Sequence, residues 1–204
     1  MNSSLVPENK IGTPVDIEYS ITESSIAEAD TTYNRACARL LNPPVWKQLS
    51  GAIGASFAIE TPQNEDARRL VQVNDYLKIA IPGPGTVAGE GFDWVRVEAI
   101  EENTLPDAEG SFGIKVRACA NPEQKEKGTA HFFTNEATSS FIIKKNGATV
   151  SMAYHGRNEM ANTTDVPVLD TIRNAVVATG AVAGLSEMHW TALLKGMLKK
   201  EIGG

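Results

Sequence analysis

Ala137–Thr164 reads ATSSFIIKKNGATVSMAYHGRNEMANTT, two alternating runs joined at Asn146-Gly147. That dipeptide accepts positive φ at both central positions of a type I′ turn, so the stretch reads as a β-hairpin with a two-residue loop. Such a loop fixes the register. Lys145 faces Ala148, and counting outward sets Ile143 against Val150, Phe141 against Met152, Ser139 against Tyr154 and Thr138 against His155. Phe141, Ile143, Val150, Met152 and Tyr154 then share one face, while Ile142, Lys144, Ser151, Ala153 and His155 share the other. The second strand runs straight into His155, Arg157 and Glu159.

Upstream of the hairpin, Ala55–Tyr154 is β-structure punctuated by Gly, Pro, Asn and Asp. Ser56–Glu60 is a short strand, and 75–81 alternates Leu77, Ile79 and Ile81 against Tyr76, Lys78 and Ala80. Phe92–Ile100 sets Val95, Val97 and Ala99 against Trp94, Arg96 and Glu98, and Ser111–Cys119 sets Phe112, Ile114, Val116 and Ala118 against Lys115 and Arg117. One apolar and one polar face per strand is the pattern of an antiparallel sheet covered on a single side. Earlier still, Pro14–Ile21 alternates Val15, Ile17, Tyr19 and Ile21 with polar residues, as a first strand would. Tyr33, Ala36, Cys37, Leu40 and Leu41 repeat at helical spacing behind the cap candidates Ser24, Ser25 and Asp30, and Asn42-Pro43-Pro44 ends that helix. Val45–Ser50 supplies another short helical stretch, with Trp46 and Leu49 inward and Gly51 as its stop. Beyond Thr164 the period is helical again: Asp170 caps a segment with Ile172, Ala175, Val176 and Thr179, and Ser186 caps one with Trp190, Leu193, Leu194, Met197 and Leu198. Small residues over Thr179–Gly184 separate the two or mark a close backbone crossing.

A chain of 204 residues that is 42% hydrophobic has enough apolar surface for one core, read as a single α+β domain over 13–204 behind a flexible tail, 1–12. Met1–Lys10 lacks the basic start and apolar run of a secretory signal, and no stretch reaches the length of a membrane span, so the expectation is a cytoplasmic chain with no membrane span. A formal charge of −6 opposes approach to a phosphate backbone and argues against nucleic acid as a partner. Cys37 and Cys119 fit no metal spacing and read as unpaired thiols or, alternatively, one disulfide. No G-x-S-x-G, H-E-x-x-H or P-loop ending is present, and Pro82–Gly91 leads into a strand rather than a helix, so no metal and no cofactor is expected.

Three features carry candidate chemistry. His155, Arg157 and Glu159 alternate; if the strand continued through Gly156, a proton carrier, an anion clamp and a base would address one volume, whereas in a solvated strand end Arg157 would simply pair with Glu159. His131, beside Phe132 and Phe133, fits either a pocket mouth or the edge of a core. Trp94 lies on the polar face of its strand, where its ring needs a covering element, a second subunit in a homodimer, or a ligand.

The order strand, helices, antiparallel strands, C-terminal helical segment resembles the helix-grip fold of START-type domains. That resemblance implies a curved antiparallel sheet of about six or seven strands wrapped on the last helix, with a cavity between them for a hydrophobic ligand; a closed β-barrel flanked by helices is the alternative. The expected function is binding of a small hydrophobic or amphipathic molecule against Phe141, Met152, Tyr154 and Trp190, with His155 and Arg157 at its polar end and His131 as a further contact. An enzyme using His155 or Glu159 as acid-base group in the same cavity, and an assembly protein without a ligand, are the alternatives.

Overall fold

Seven strands form one open antiparallel sheet in the computed structural model, which describes residues 5–51, 54–63, 65, 67–80, 89–104, 109–124, 126, 128–160, 162 and 182–200. In chain order the elements are β1 (Val15–Thr22), α1 (Ile26–Leu40), a 3-10 turn (Pro43–Val45), α2 (Trp46–Ser50), β2 (Ser56–Glu60), β3 (Tyr76–Ala80), β4 (Asp93–Thr104), β5 (Glu109–Ala118), β6 (Thr138–Asn146), β7 (Thr149–Arg157) and α3 (Val182–Leu198). The spatial order is β1-β7-β6-β5-β4-β3-β2, so β1 and β2 are the edge strands and the sheet does not close into a barrel. The three helices among the described residues pack on one face, with α3 against β1, β7, α1 and α2. This is the helix-grip arrangement.

The one-sided strands build the core as their period dictates. Phe57, Ile59, Leu77, Val95, Val97, Ile114, Val116, Phe141, Ile143, Val150, Met152 and Tyr154 bury against Ala29, Ala36, Leu40, Trp46 and Leu49 of the helices and Leu193, Leu194, Met197 and Leu198 of α3. Fully burying a side chain of this size is worth about 1.5–3 kcal/mol. Ser25 caps α1, its hydroxyl accepting from the Glu28 amide at 3.2 Å. Arg39, near the end of α1, is buried and donates to the carbonyls of Gly196, Met197 and Lys199 at 3.1, 3.0 and 2.6 Å. One guanidinium thereby satisfies the orphan carbonyls of the last turn of α3 and places a cation at its negative end.

Two registers differ from the sequence reading. The hairpin pairs Asn146 with Thr149, Ile143 with Met152, Phe141 with Tyr154 and Thr138 with Arg157, so its loop is Gly147-Ala148 rather than Asn146-Gly147. Only Gly147 of that loop has positive φ, at 56°, as a type II′ turn requires of its first central residue. The pairing slips by two residues, which leaves every side chain on its predicted face. In β4 a bulge between Val97 and Ala99 breaks the alternation, and Ile100 rather than Ala99 follows Val97 onto the core.

The described part of the N-terminal segment is not a loose tail. Leu5 is 2% exposed on the outer face of the sheet beside Gly113 and Ile142, and its carbonyl accepts from the Ser140 hydroxyl at 2.6 Å. The connection 61–75 also packs: Val71 is buried, its amide donating to the Leu41 carbonyl, and Asp75 is held by a two-pronged Arg69 pair at 2.6 and 2.8 Å. The helix read behind Asp170, residues Thr179–Ala181 of the small-residue break, and most of Pro82–Gly91 lie outside the described residues. Cys37, in α1, and Cys119, just after β5, are both free, and burial pushes each thiol up to about 12. No helix among the described residues is long and apolar enough to cross a membrane.

Candidate functional site

β7 alternates strictly from Thr149 to Arg157, with Val150, Met152, Tyr154 and Gly156 inward, so His155 and Arg157 fall on the outer face. There they meet the edge strand: the register sets Asp16 opposite His155, with Asp16 Oδ1 2.5 Å from His155 Nδ1 and 2.6 Å from Arg157 Nη2. Arg157 Nη1 also donates to the carbonyls of Val15 and Gly156. Partial burial pushes the Asp16 carboxyl up, but the hydrogen bonds and charges of His155 and Arg157 outweigh it and hold the group below its ordinary range. The pair thus staples β1 to β7. It cannot form the polar end of a site on the opposite side of the sheet, which corrects the sequence reading.

Glu159 takes the other side. The strand ends at Arg157, and Asn158 adopts φ +57°, a left-handed conformation that asparagine tolerates better than most residues. The N-terminal segment clamps that turn: the Asn158 side chain accepts from the amides of Lys10 and Ile11, donates to the Glu8 carbonyl, and the Asn158 amide donates to Asn9. The reversal brings the Glu159 side chain back over Gly156, where a β-carbon would stand only 2.2 Å from Glu159 Oε1. Glycine at 156 therefore admits the carboxyl. Tyr154 donates to Glu159 Oε1 at 3.0 Å, and Ser139 lies 3.2 Å from the same phenol oxygen.

This polar row borders an aromatic wall. Trp190 of α3 stacks on Tyr154 at 4.7 Å with 15° between planes, and Phe141 meets both rings at 5.3 Å. Trp46 continues the wall from Phe141 to Phe57 at 5.3 and 4.9 Å. Met152 is buried in the same layer. Phe141, Met152, Tyr154 and Trp190 are therefore brought into one cluster, and Trp190, only partly buried, occupies the space between strand and helix. Burial pushes the Glu159 carboxyl up, more than the Tyr154 hydrogen bond and the Arg157 charge pull it down. Burial likewise drives the Tyr154 phenol well above its ordinary value, with the Glu159 charge adding to it. Buried ionisable groups converging beside an apolar wall are a recurrent feature of binding and catalytic sites.

The remaining candidates lie elsewhere. His131 accepts from the Phe133 amide at 3.1 Å and packs against both neighbouring phenylalanines, in the segment whose Ala130 covers Trp94. Trp94 is 2% exposed beneath that segment, so its ring is covered by the chain itself. Beside it, a cleft of about 130 Å³ is lined by Lys78 and Phe92 among others; the Lys78 ammonium lies 4.3 Å over the Phe92 ring and 3.5 Å from Glu60. Among the described residues no three His, Cys, Asp or Glu side chains gather as a metal site would need.

No protein-family model and no curated protein matches the sequence. Among solved structures, the chain is similar to protein Ms6760 of Mycobacterium smegmatis, at 9% identity and TM-score 0.43 over 96% of this chain and 98% of that one. A conserved protein of Geobacillus kaustophilus aligns at 11% identity and TM-score 0.42 over 93% and 95%, and Ara h 8.0201 at 10% and 0.35 over 89% and 99%. The architecture stands on this chain's own strand order: a seven-stranded open antiparallel sheet gripping a C-terminal helix.

Proposed function

We propose that this protein binds a small hydrophobic or amphipathic molecule between the inner face of β6–β7 and α3, with Tyr154 and Glu159 at the polar end. The supporting observation is the row Ser139, Tyr154, Glu159, hydrogen-bonded at 3.2 and 3.0 Å and bordered by the Trp190 ring. A patch serving only as core would be better filled with apolar atoms, because a carboxyl withdrawn from water is costly unless it has work to do. Trp190 is only partly buried, and the ligand's apolar body lies against its ring.

The test is thermal stabilisation by 2-naphthalenemethanol and decanol, read beside tryptophan emission. At 100 times its dissociation constant a ligand adds about 2.7 kcal/mol. The expected result is a raised melting temperature in the native protein with a change in emission that is absent in Trp190→Phe, although the melting shift persists there. No shift with either compound, or a shift with Trp190 emission unaltered, overturns the proposal.

A further inference from the structure

We infer that the preferred ligand of this site is a hydrophobic amine, with its ammonium on Glu159 and its apolar body against Trp190 and Phe141. The inference rests on the binding reading above and adds the sign of the ligand's charge.

The argument is one of charge inventory around the row. Glu159 Oε1 accepts from Tyr154, and no hydrogen bond from a described residue reaches Oε2, so one carboxylate oxygen remains for a donor. The nearest cation, Arg157, donates instead to Asp16, Val15 and Gly156 on the other side of the sheet, so it raises the negative character of the Glu159 carboxyl without neutralising it by contact. Lys195 of α3 lies over the Tyr19 ring at 5.6 Å and not on the carboxyl. Tyr154, Trp190 and Phe141 add ring faces, whose negative quadrupole favours an ammonium and repels a carboxylate. A fatty acid or other anion would set like charge against the partly buried Glu159 carboxyl, and such pairs are unfavourable. The net charge of −6 acts in the same direction at long range.

The experiment holds the ring system fixed and changes only the head group: 2-naphthylmethylamine, 2-naphthalenemethanol and 2-naphthoate, titrated calorimetrically into the native protein, Glu159→Gln and Trp190→Phe at neutral pH and moderate salt. A charge-assisted hydrogen bond predicts that the amine binds about tenfold tighter than the alcohol, and the carboxylate at least about tenfold weaker. In Glu159→Gln the amine should fall to within about twofold of the alcohol measured in the same variant. An amine no tighter than the alcohol, or a preference that survives Glu159→Gln and therefore reflects only overall charge, overturns the inference while leaving the binding site in place. If the neutral alcohol also fails to bind the native protein, the binding reading itself falls with it.

Discussion

Gly196→Ala should destabilise the protein although it improves a helix. Gly196 lies in α3 where that helix crosses α2, and a β-carbon there would stand 2.2 Å from the Leu49 carbonyl oxygen and 2.7 Å from its carbon. Both atoms are backbone, so no side chain can swing aside. Reaching an ordinary contact of 3.4 Å requires α2 and α3 to separate by about 1.2 Å. Intrinsic propensity favours alanine by about 1 kcal/mol. Against it stand overpacking, about 3 kcal/mol when a packed layer must yield, and a weakened hydrogen bond from Arg39 to the Gly196 carbonyl, about 1 kcal/mol. The net loss is about 3 kcal/mol, or about 6–12 °C in melting temperature for a chain of this size. Urea denaturation and thermal melting of the native chain, Gly196→Ala and Ala192→Gly make the comparison. The last variant reports the propensity scale on the same helix and should cost about 1 kcal/mol. A Gly196→Ala protein melting at or above the native temperature would show that propensity, not the crossing, governs this position, and would refute the reasoning.

Arg39→Met removes the guanidinium that serves three carbonyls at the end of α3. It should cost about 3 kcal/mol or more, read by urea denaturation, with faster amide exchange in the last turn of α3; an unchanged denaturation midpoint would deny the cap its role. The two carboxyls of the β7 end should respond to pH with opposite signs. Glu159 is raised in the folded protein, so its contribution is most favourable below the ordinary value of 4.5 and is lost as pH rises through the folded value; Glu159→Gln should gain stability over the native chain at neutral pH and lose that advantage in acid. Asp16 is held low by His155 and Arg157, so its contribution is present above its ordinary value of 3.8 and disappears as pH falls through the lowered one; Asp16→Asn should be less stable at neutral pH and converge with the native chain in acid. Melting curves from pH 3 to 8 check both, and parallel curves for native and variant would contradict either assignment.

The face of each strand was legible because burial repeats every two residues, and a pairing slip of two, as between Asn146-Gly147 and Gly147-Ala148, leaves faces untouched. The turn position was not, because both dipeptides contain a residue that accepts positive φ. The aromatic half of the candidate site is placed by the same period: Phe141, Met152 and Tyr154 face inward, and Trp190 sits on the buried stripe of its helix. The polar half is not. Counting by twos carries Glu159 to the side of His155 and Arg157, whereas the left-handed Asn158 ends the count and returns the carboxyl to Tyr154. Asparagine between a strand and a glutamate is the local signal, but what holds it there is the segment Glu8–Ile11, almost 150 residues away in sequence, which no local pattern reports.

That β1 pairs with β7 bears on how the protein is made. Val15 meets Gly156 and Ile21 meets Val150, so β1, made before the other strands of this sheet, has no sheet partner until β7 follows. Until then its apolar side, Val15, Ile17, Tyr19 and Ile21, waits uncovered on the nascent chain. Closing contacts this distant in sequence is slow and exposes intermediates to aggregation. A nascent chain stalled before β7 would therefore hold neither the edge staple nor the Tyr154–Glu159 pair, and its exposed first strand would be the natural point of engagement for a holding chaperone.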